Sequence, residues 1–443
     1  MMNVVSAFEY RAVGSSRAET VFGELSPSKV FMTKDAEFEK DHLICLFPSM
    51  PPSEPSEPFY YFLTEPGDND YMIAAYWNGK KYKLETGKNP QGEFTLSGLD
   101  EELRPIQPNV FKISEHCYRM YFWAHYHGEA RKVRMLIAES SDNRHWKIIN
   151  DARPAFCHYS DVMCREKRFP VSRQCNDATA LYMRKDGKFE VFSAALVHLD
   201  ANNNTRYYQK DIWRGYVRVI QRWVGDGFED WSHPEIVMIP DAEDPIDLQM
   251  YYLLPNELSN GSFGWLGRYS AVRQSMTMEP VWSFDRRHWE RPLRGAYGPE
   301  TEEKYPITAP AHHMVECGDK FKLYYSRSSS DHNFKTAGGA KPYHELCWTE
   351  LDKHRLFGKL VTPGTGLLSP SLRMVDPSLS VYSSDDAELE FVWLNAFGEK
   401  SGKNMAVVRS RPDKWDIVLK DCAPGCTGML EIRGKGKVFD LVY

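Results

Sequence analysis

The 443-residue chain contains no apolar run of about 18 residues, the length a membrane-crossing helix needs, so no membrane partner is expected. It has no surplus of positive charge: 55 Lys and Arg against 61 Asp and Glu leave −6. Nothing is therefore available to neutralise a phosphate backbone, which excludes a general nucleic-acid binder. Helical periodicity is missing too. Wherever apolar residues recur at i, i+3, i+4 and i+7, a Gly or Pro soon interrupts them. The 9 cysteines form no Cys-x-x-Cys pair, and Cys422 and Cys426 have no second pair with which to build a structural zinc site. Gly-x-Ser-x-Gly, the P-loop, Gly-x-Gly-x-x-Gly and His-Glu-x-x-His are all absent. Serine nucleophiles, nucleotide cofactors and zinc peptidase chemistry have no local support. Met1 to Glu9 show no basic stretch followed by an apolar one. The chain as it stands is expected in the cytoplasm with mostly free thiols, and in a secreted or periplasmic setting if a leader has been removed.

What is present points to strands. Aromatic residues make up 13% of the chain, including 24 Tyr and 12 Trp, a composition that suits sheets and carbohydrate surfaces. The 29 Gly and 27 Pro fall between short β-rich runs. The length exceeds one ordinary core, so either two domains or one closed ring of repeats is expected.

A module recurs: an extended run, a polar turn, an aromatic-rich strand and a later third strand. One copy joins Asn109–Ile113 to Tyr118–Trp123 and Val133–Ala138. The next joins Asp177–Met183 to Phe189–Phe192 and Gly215–Ile220. A third joins Leu248–Leu253 to Phe263–Leu266, and a fourth joins Ala311–Val315 to Phe321–Tyr325 and Leu346–Glu350. A weaker copy opens at Phe59–Leu63 and Ile73–Trp77. Radially repeated small sheets are β-propeller blades. The expected fold is all-β: a five-bladed β-propeller over 59–360, with a small C-terminal β-sandwich-like region over 361–443. Before them, 1–58 reads as an N-terminal segment ending in a proline-rich connector, with five prolines between Pro48 and Pro58.

Two segments share one short motif, Ser140-Ser-Asp142-Asn-Arg-His145-Trp146 and Ser283-Phe-Asp285-Arg-Arg-His288-Trp289, and Gly227 to Trp231 is a degenerate copy. Ser and Asp side chains bond to backbone N–H groups of a turn, so the motif reads as a corner between the third and outer strands, with Trp capping the cleft between blades. This Ser-x-Asp-x-x-His-Trp corner resembles that of the five-bladed β-propeller glycoside hydrolases, the superfamily of families 32, 43, 68 and 117. Trp231–Glu235, Asp244–Tyr252, Trp289–Pro292 and Tyr324–Asn333 look most like family-32-related proteins of polysaccharide-degrading bacteria. The resemblance spans roughly 105–443. It implies an enzyme that cleaves glycosidic bonds of an oligo- or polysaccharide. The departures are plain: the family-32 nucleophile motif Trp-x-Asn-Asp-Pro-Asn-Gly is absent, and so is a clean Arg-Asp-Pro. Glu316-Cys317 mimics the acid motif, but at the hairpin end of its module.

Glycoside hydrolysis needs two carboxyl groups flanking the scissile bond, one giving a proton and one attacking or activating water. In a propeller they come from the starts of inner strands and the loops feeding them. That register nominates Asp177 as base or nucleophile, Glu300 or Glu302 as acid, and Asp247 as a group that orients substrate or tunes a neighbour. Asn109, Arg173, His312, His313, Arg327 and His332 are the candidate substrate-binding residues. Tyr251, Tyr252 and Trp265 are candidate stacking platforms. No metal ligands or cofactor are expected, although the hub leaves room for a structural divalent cation. The expected partner is an oligosaccharide, and nothing in the sequence bears on oligomeric state. Two alternatives stay open: a non-catalytic glycan-binding propeller, and a phosphorylase or lyase on the same scaffold.

Overall fold

The computed structural model describes residues 3–14, 17–35, 58–62, 72–77, 81–85, 93–98, 103–126, 131–142, 145–150, 152–198, 216–295, 297, 305–310, 314–332, 336, 343–400, 405–420 and 423–443. Along 29–35, 58–62, 72–77, 81–85, 93–95, 104–108 and 315–317, and at 324, 326, 343–344 and 346, it describes the backbone path alone. Strands dominate. Among the described residues only the short helix Val162–Arg165 and the 3-10 turn Val171–Arg173 interrupt them.

Antiparallel meanders follow one another along the chain. Pro58–Phe62, Met72–Trp77, Lys81–Glu85 and Glu93–Ser97 pair in sequence. Arg104–Ser114, Cys117–Tyr126, Lys132–Ser140 and His145–Ile148 form the next unit. Then come Thr179–Met183, Phe189–His198, Tyr216–Gly225 and Glu235–Met238. Leu248–Leu258, Gly261–Ser270 and Ser275–Ser283 follow, with Glu290 bridging to Trp282 at the outer edge. In the last unit Ile307–Pro310 and Val315–Cys317 both lie against Lys320–Ser328, which pairs with Tyr343–Asp352. These are the blade-like modules expected from the repeat. The inner strands start earlier than expected in two of them, at Arg104 and Ile307. Asn109 therefore sits mid-strand opposite Tyr121 and does not open its strand.

Among the residues whose side chains are described, apolar groups on both faces of the meanders give the units their cohesion. Every residue of Ser275–Ser283 is buried, as a strand covered on both faces requires. Between units the filling is aromatic. Phe111 and Tyr121 meet Phe189, Phe156 meets Trp223 and Trp231, and Phe192 meets Trp289. Tyr252 and Trp265 are fully buried in this core, so neither is the sugar platform that was expected.

The corner motif behaves as its residues suggest. Asp285 Oδ1 accepts from the backbone of Arg287 and His288, both at 2.8 Å, and from Ser283 Oγ at 3.2 Å. Asp142 repeats this with Ser140 Oγ and the His145 N–H, each at 2.9 Å. Both aspartates are consumed in holding a turn.

The C-terminal region has its own core, including Leu367, Val381, Trp393, Ile417, Leu430, Ile432 and Val438. Its spine is the long strand Thr427–Val442, which pairs with Glu388–Asn395 along its first half and with Phe357–Val361 and Ser378–Ser383 along its second. Gly434 and Gly436 lie between the halves at φ +116° and +137°, and a Cβ at Gly434 would come 2.1 Å from the Glu388 carbonyl oxygen. Only glycine lets one strand turn from one sheet into the other there.

The N-terminal segment, expected as a single unit over 1–58, divides. Val4–Val5 pairs with Leu441 and Val442, Arg11–Gly14 with Thr365–Leu368, and Thr20–Phe22 with Phe357–Lys359. Lys29–Asp35 then forms the outer strand of the last meander, against Tyr343–Trp348. Pro58 begins a strand, while 36–57, with the rest of the proline-rich stretch, lies outside the described residues.

Candidate active site

The ends of the meanders where inner strands begin gather a continuous set of polar side chains. Its centre is Asp177. Asn176 shapes the turn: its side-chain Oδ1 accepts from the Ala178 N–H at 2.9 Å, and its carbonyl accepts from Ser193 Oγ at 2.9 Å. Thr179, the first strand residue, accepts a 2.6 Å bond from Trp123 Nε1 of the preceding meander. That tie fixes the two units together where Asp177 leaves the turn. It also brings the second-strand end of the earlier unit alongside, so His125 Nε2 lies 3.4 Å from Asp177 Oδ2.

The loop after His145–Ile148 supplies another wall. Asp161, fully buried, accepts from the Val133 N–H at 2.7 Å, from the Met163 N–H at 2.7 Å and from Arg134 Nε at 3.0 Å. This clamp folds the loop back over the sheet, and Phe156–His158 pairs in parallel with Gln174–Cys175. His158 thereby faces Asp177.

The electrostatics follow from this packing. Burial raises the Asp177 carboxyl, but His158, His125, its own backbone amide and Arg131 more than offset it, and the group lies below the ordinary carboxylate range. Burial pushes His158 below its ordinary value; Asp177 pulls it up, and Arg131 and Arg218 press it down again. At neutral pH the arrangement is an ionised carboxylate between imidazoles, with two guanidinium groups close by. The Asp177 side chain remains 23% exposed, so a ligand reaches it.

The polar surface continues onto the following units. Arg218 lies over the rings of Tyr251 and Tyr269, at 5.1 and 5.7 Å. Tyr251 Oη is 3.3 Å from His332 Nε2, and the His332 ring packs on Tyr269 at 5.0 Å. His332 is thus in contact with the same mouth, and Tyr251 is the one expected platform that keeps a half-buried place there.

Other nominated residues have internal duties. Asp247 accepts from Ser270 Oγ at 2.5 Å and from the Val272 N–H at 3.1 Å, bracing the start of its inner strand against the neighbouring hairpin. Arg327 is buried, with Nε 2.6 Å from Glu345 Oε2 and its guanidinium 4.1 Å from the Tyr305 ring. That burial and ion pair replace the substrate-binding role expected of it. Arg173 donates to the Ala155 carbonyl at 3.3 Å and lies over Phe169 at 4.9 Å, a brace of the loop wall. Asn109 is 5% exposed within its strand. Glu300, Glu302, His312 and His313 lie outside the described residues. Backbone pairing of Glu316 with Phe321 puts that residue at the hairpin end, opposite to Asp177.

Sequence reasoning missed His125, His158, Arg131 and Arg218. Two signals were available. His125 ends the aromatic second strand on the same side as the loop to the third, and His158 belongs to a long insertion preceding Asp177. Among the described residues, no group of three or more His, Cys, Asp or Glu is arranged to hold a metal ion.

No protein-family model matches the chain, and no curated protein matches it. Several solved structures follow a similar chain path. An N-acetylgalactosamine deacetylase from F. plautii, in complex with blood group B trisaccharide, is 10% identical with a TM-score of 0.39, over 76% of this chain and 96% of its own. A family-43 β-xylosidase/α-arabinofuranosidase from a compost microbial metagenome, in complex with xylotriose, is 13% identical with a TM-score of 0.39, over 74% and 96%. A family-32 β-fructofuranosidase from Bombyx mori is 8% identical with a TM-score of 0.34, over 96% and 93%. Likeness at this level carries no argument about activity.

Proposed function

We propose that this chain is a carbohydrate-active enzyme on a five-bladed propeller, closed by the strand Lys29–Asp35, and that it cleaves a glycosidic bond of an oligosaccharide at the mouth around Asp177. One observation carries the reading: a ligand-accessible carboxylate, held ionised by His158, His125 and Arg131, at an inner-strand start where several meanders converge. An ionised carboxylate in that place attacks an anomeric carbon or takes a proton from water. The acid that protonates the leaving oxygen is assigned to Glu300 or Glu302, on the loop that feeds the Ile307 strand. His332 and Tyr251 form the far wall and contact sugar hydroxyls. Asp247 acts as a brace of that wall, holding Ser270 and Val272. No metal is given a role. Cys426 is disulfide-bonded, which favours a secreted or periplasmic setting over the cytoplasm.

The test is Asp177→Asn assayed on a panel of plant and algal oligosaccharides. Turnover is expected to fall by roughly 10²–10⁴, the usual worth of a catalytic acid or base, with binding retained. Unchanged turnover removes the assignment. Absence of turnover by the unmutated protein on every oligosaccharide, with binding present, leaves a glycan-binding module.

A second reading has its own support. Arg131 and Arg218 both act on His158, a cationic setting suited to an anion such as inorganic phosphate. In phosphorolysis, a phosphate oxygen forms the new bond to the anomeric carbon and the glycosidic oxygen leaves with a proton. Assays with and without added phosphate separate the readings: sugar 1-phosphate appears in one, free sugar in the other.

A further inference from the structure

At the opposite end of the meanders lies a cavity of about 640 Å³. Thr179–Met183 separates it from Asp177, since Tyr182 and Lys185 at the hairpin end line the cavity while Asp177 precedes the strand. That is about 15 Å of strand. Hairpin residues Asn256–Asn260 form a second wall, and Lys353, His354 and Asp440 of the junction with the C-terminal region form the third. The volume lies within the ~300–1,000 Å³ usual for small-molecule sites.

The lining mixes polar and apolar side chains, and its charges are balanced. Glu257 accepts from Tyr182 Oη and lies 3.6 Å from Lys185 Nζ. Asp440 Oδ2 lies 3.3 Å from His354 Nδ1. Carboxylate acceptors therefore come with cationic and imidazole donors, so the net charge does not select an anion or a cation. Phe321, with Lys353 Nζ 5.6 Å from its ring centre, adds an apolar element.

We propose that this cavity is a second saccharide-binding site, which takes a neutral disaccharide unit and is separate from the mouth around Asp177. Alternating donors and acceptors around an apolar wall match the hydroxyls and C–H faces of a sugar. The site lies where three meanders meet the C-terminal region, so an occupant would join the two parts of the molecule. The proposal does not depend on the activity assigned to Asp177.

Hydrogen-exchange mass spectrometry on the full chain locates binding without reference to turnover. The probes are cellobiose, xylobiose, lactose and sucrose at 50 mM or below. With at least one of them, amides of 256–260 and 352–354 are expected to exchange several-fold more slowly. Asp177→Asn keeps this protection. Lys185→Ala removes a donor that lines the cavity, and Ser259→Trp fills the mouth from an exposed position; each is expected to abolish the protection while leaving the melting temperature close to that of the parent. Failure of all four sugars to protect these amides overturns the proposal, and so does protection that survives both variants. Loss of turnover in Asp177→Asn, with none of the four sugars protecting these amides, would uphold the catalytic reading alone.

Discussion

Two carboxyl groups with opposite shifts define the molecule at the scale of single residues. Asp177 is depressed by His158, His125 and Arg131 despite its burial, so it charges early on the way up from acid pH. His158→Gln removes the largest favourable partner. The acid limb of the kcat/KM profile is then expected to move to higher pH, towards the ordinary carboxylate value of about 3.9. A limb that stays in place shows that another group sets it. Asp440 is shifted the other way: burial, opposed by His354 and reinforced by Asp352 and Glu9, pushes it up to about 6. A raised folded value means that its stabilising contribution is complete below the unfolded value and is lost as pH rises through about 6. Asp440→Asn is expected to shrink the stability difference between pH 4 and pH 7.5 by about 2 kcal/mol, at roughly 1.4 kcal/mol per pKa unit over the part of the shift that this window spans. Denaturant titrations at both pH values measure it.

Ion pairs bind neighbouring elements. Glu190 is fully buried in the second strand of its meander, with Arg222 Nη2 at 2.5 Å from the third strand, Arg286 Nε at 2.6 Å from the next unit's corner and Arg184 Nη1 at 3.3 Å from its own hairpin. Arg286 adopts φ +58° to reach it, a backbone state uncommon for a non-glycine residue. Removing the central charge strands the partly buried guanidinium groups. Glu190→Gln is expected to destabilise by roughly 3–5 kcal/mol. His288→Ala, whose ring in the same corner is 89% exposed, is expected to stay within about 0.5 kcal/mol. The corner itself was legible in the sequence because all its bonds close within five residues. The strand repeat was legible for the same reason, since hairpins are local. The setting of Asp177 was legible only in half. Register placed Asp177 at an inner-strand start, but His125 is 52 positions earlier and reaches it through a contact between units. Arg327 misled because an arginine at a strand–loop junction looks identical in sequence whether it faces solvent or, as here, Glu345 on the adjacent strand.

At the scale of the whole molecule, the decisive pairing joins positions more than 300 residues apart, which no local pattern announces. Val30 lies opposite Cys347, so the first strands of the chain complete the last meander. On the way, the same segment lays Val4–Val5, Arg11–Gly14 and Thr20–Phe22 onto the C-terminal sheets. One segment thus binds both parts, and Phe22 packs its ring on Phe263 and Phe357 at 6.1 and 5.5 Å where they meet. Removal of residues 1–36 would expose the edge of Tyr343–Asp352 together with edges on Phe357–Val361 and Thr365–Leu368. Exposed strand edges pair with other chains. The truncated protein is expected to aggregate or to elute as large oligomers, where the full chain keeps these edges covered. Supplying 3–36 as a separate peptide during refolding is expected to restore soluble protein in part, because pairing requires the strands and not their covalent connection. Size-exclusion chromatography of the three preparations reads the outcome. A soluble truncated chain with an unchanged melting temperature would show that the meanders hold together without this seal, and that the coupling between the two parts lies elsewhere, in the Thr427–Val442 spine and the His354–Asp440 junction.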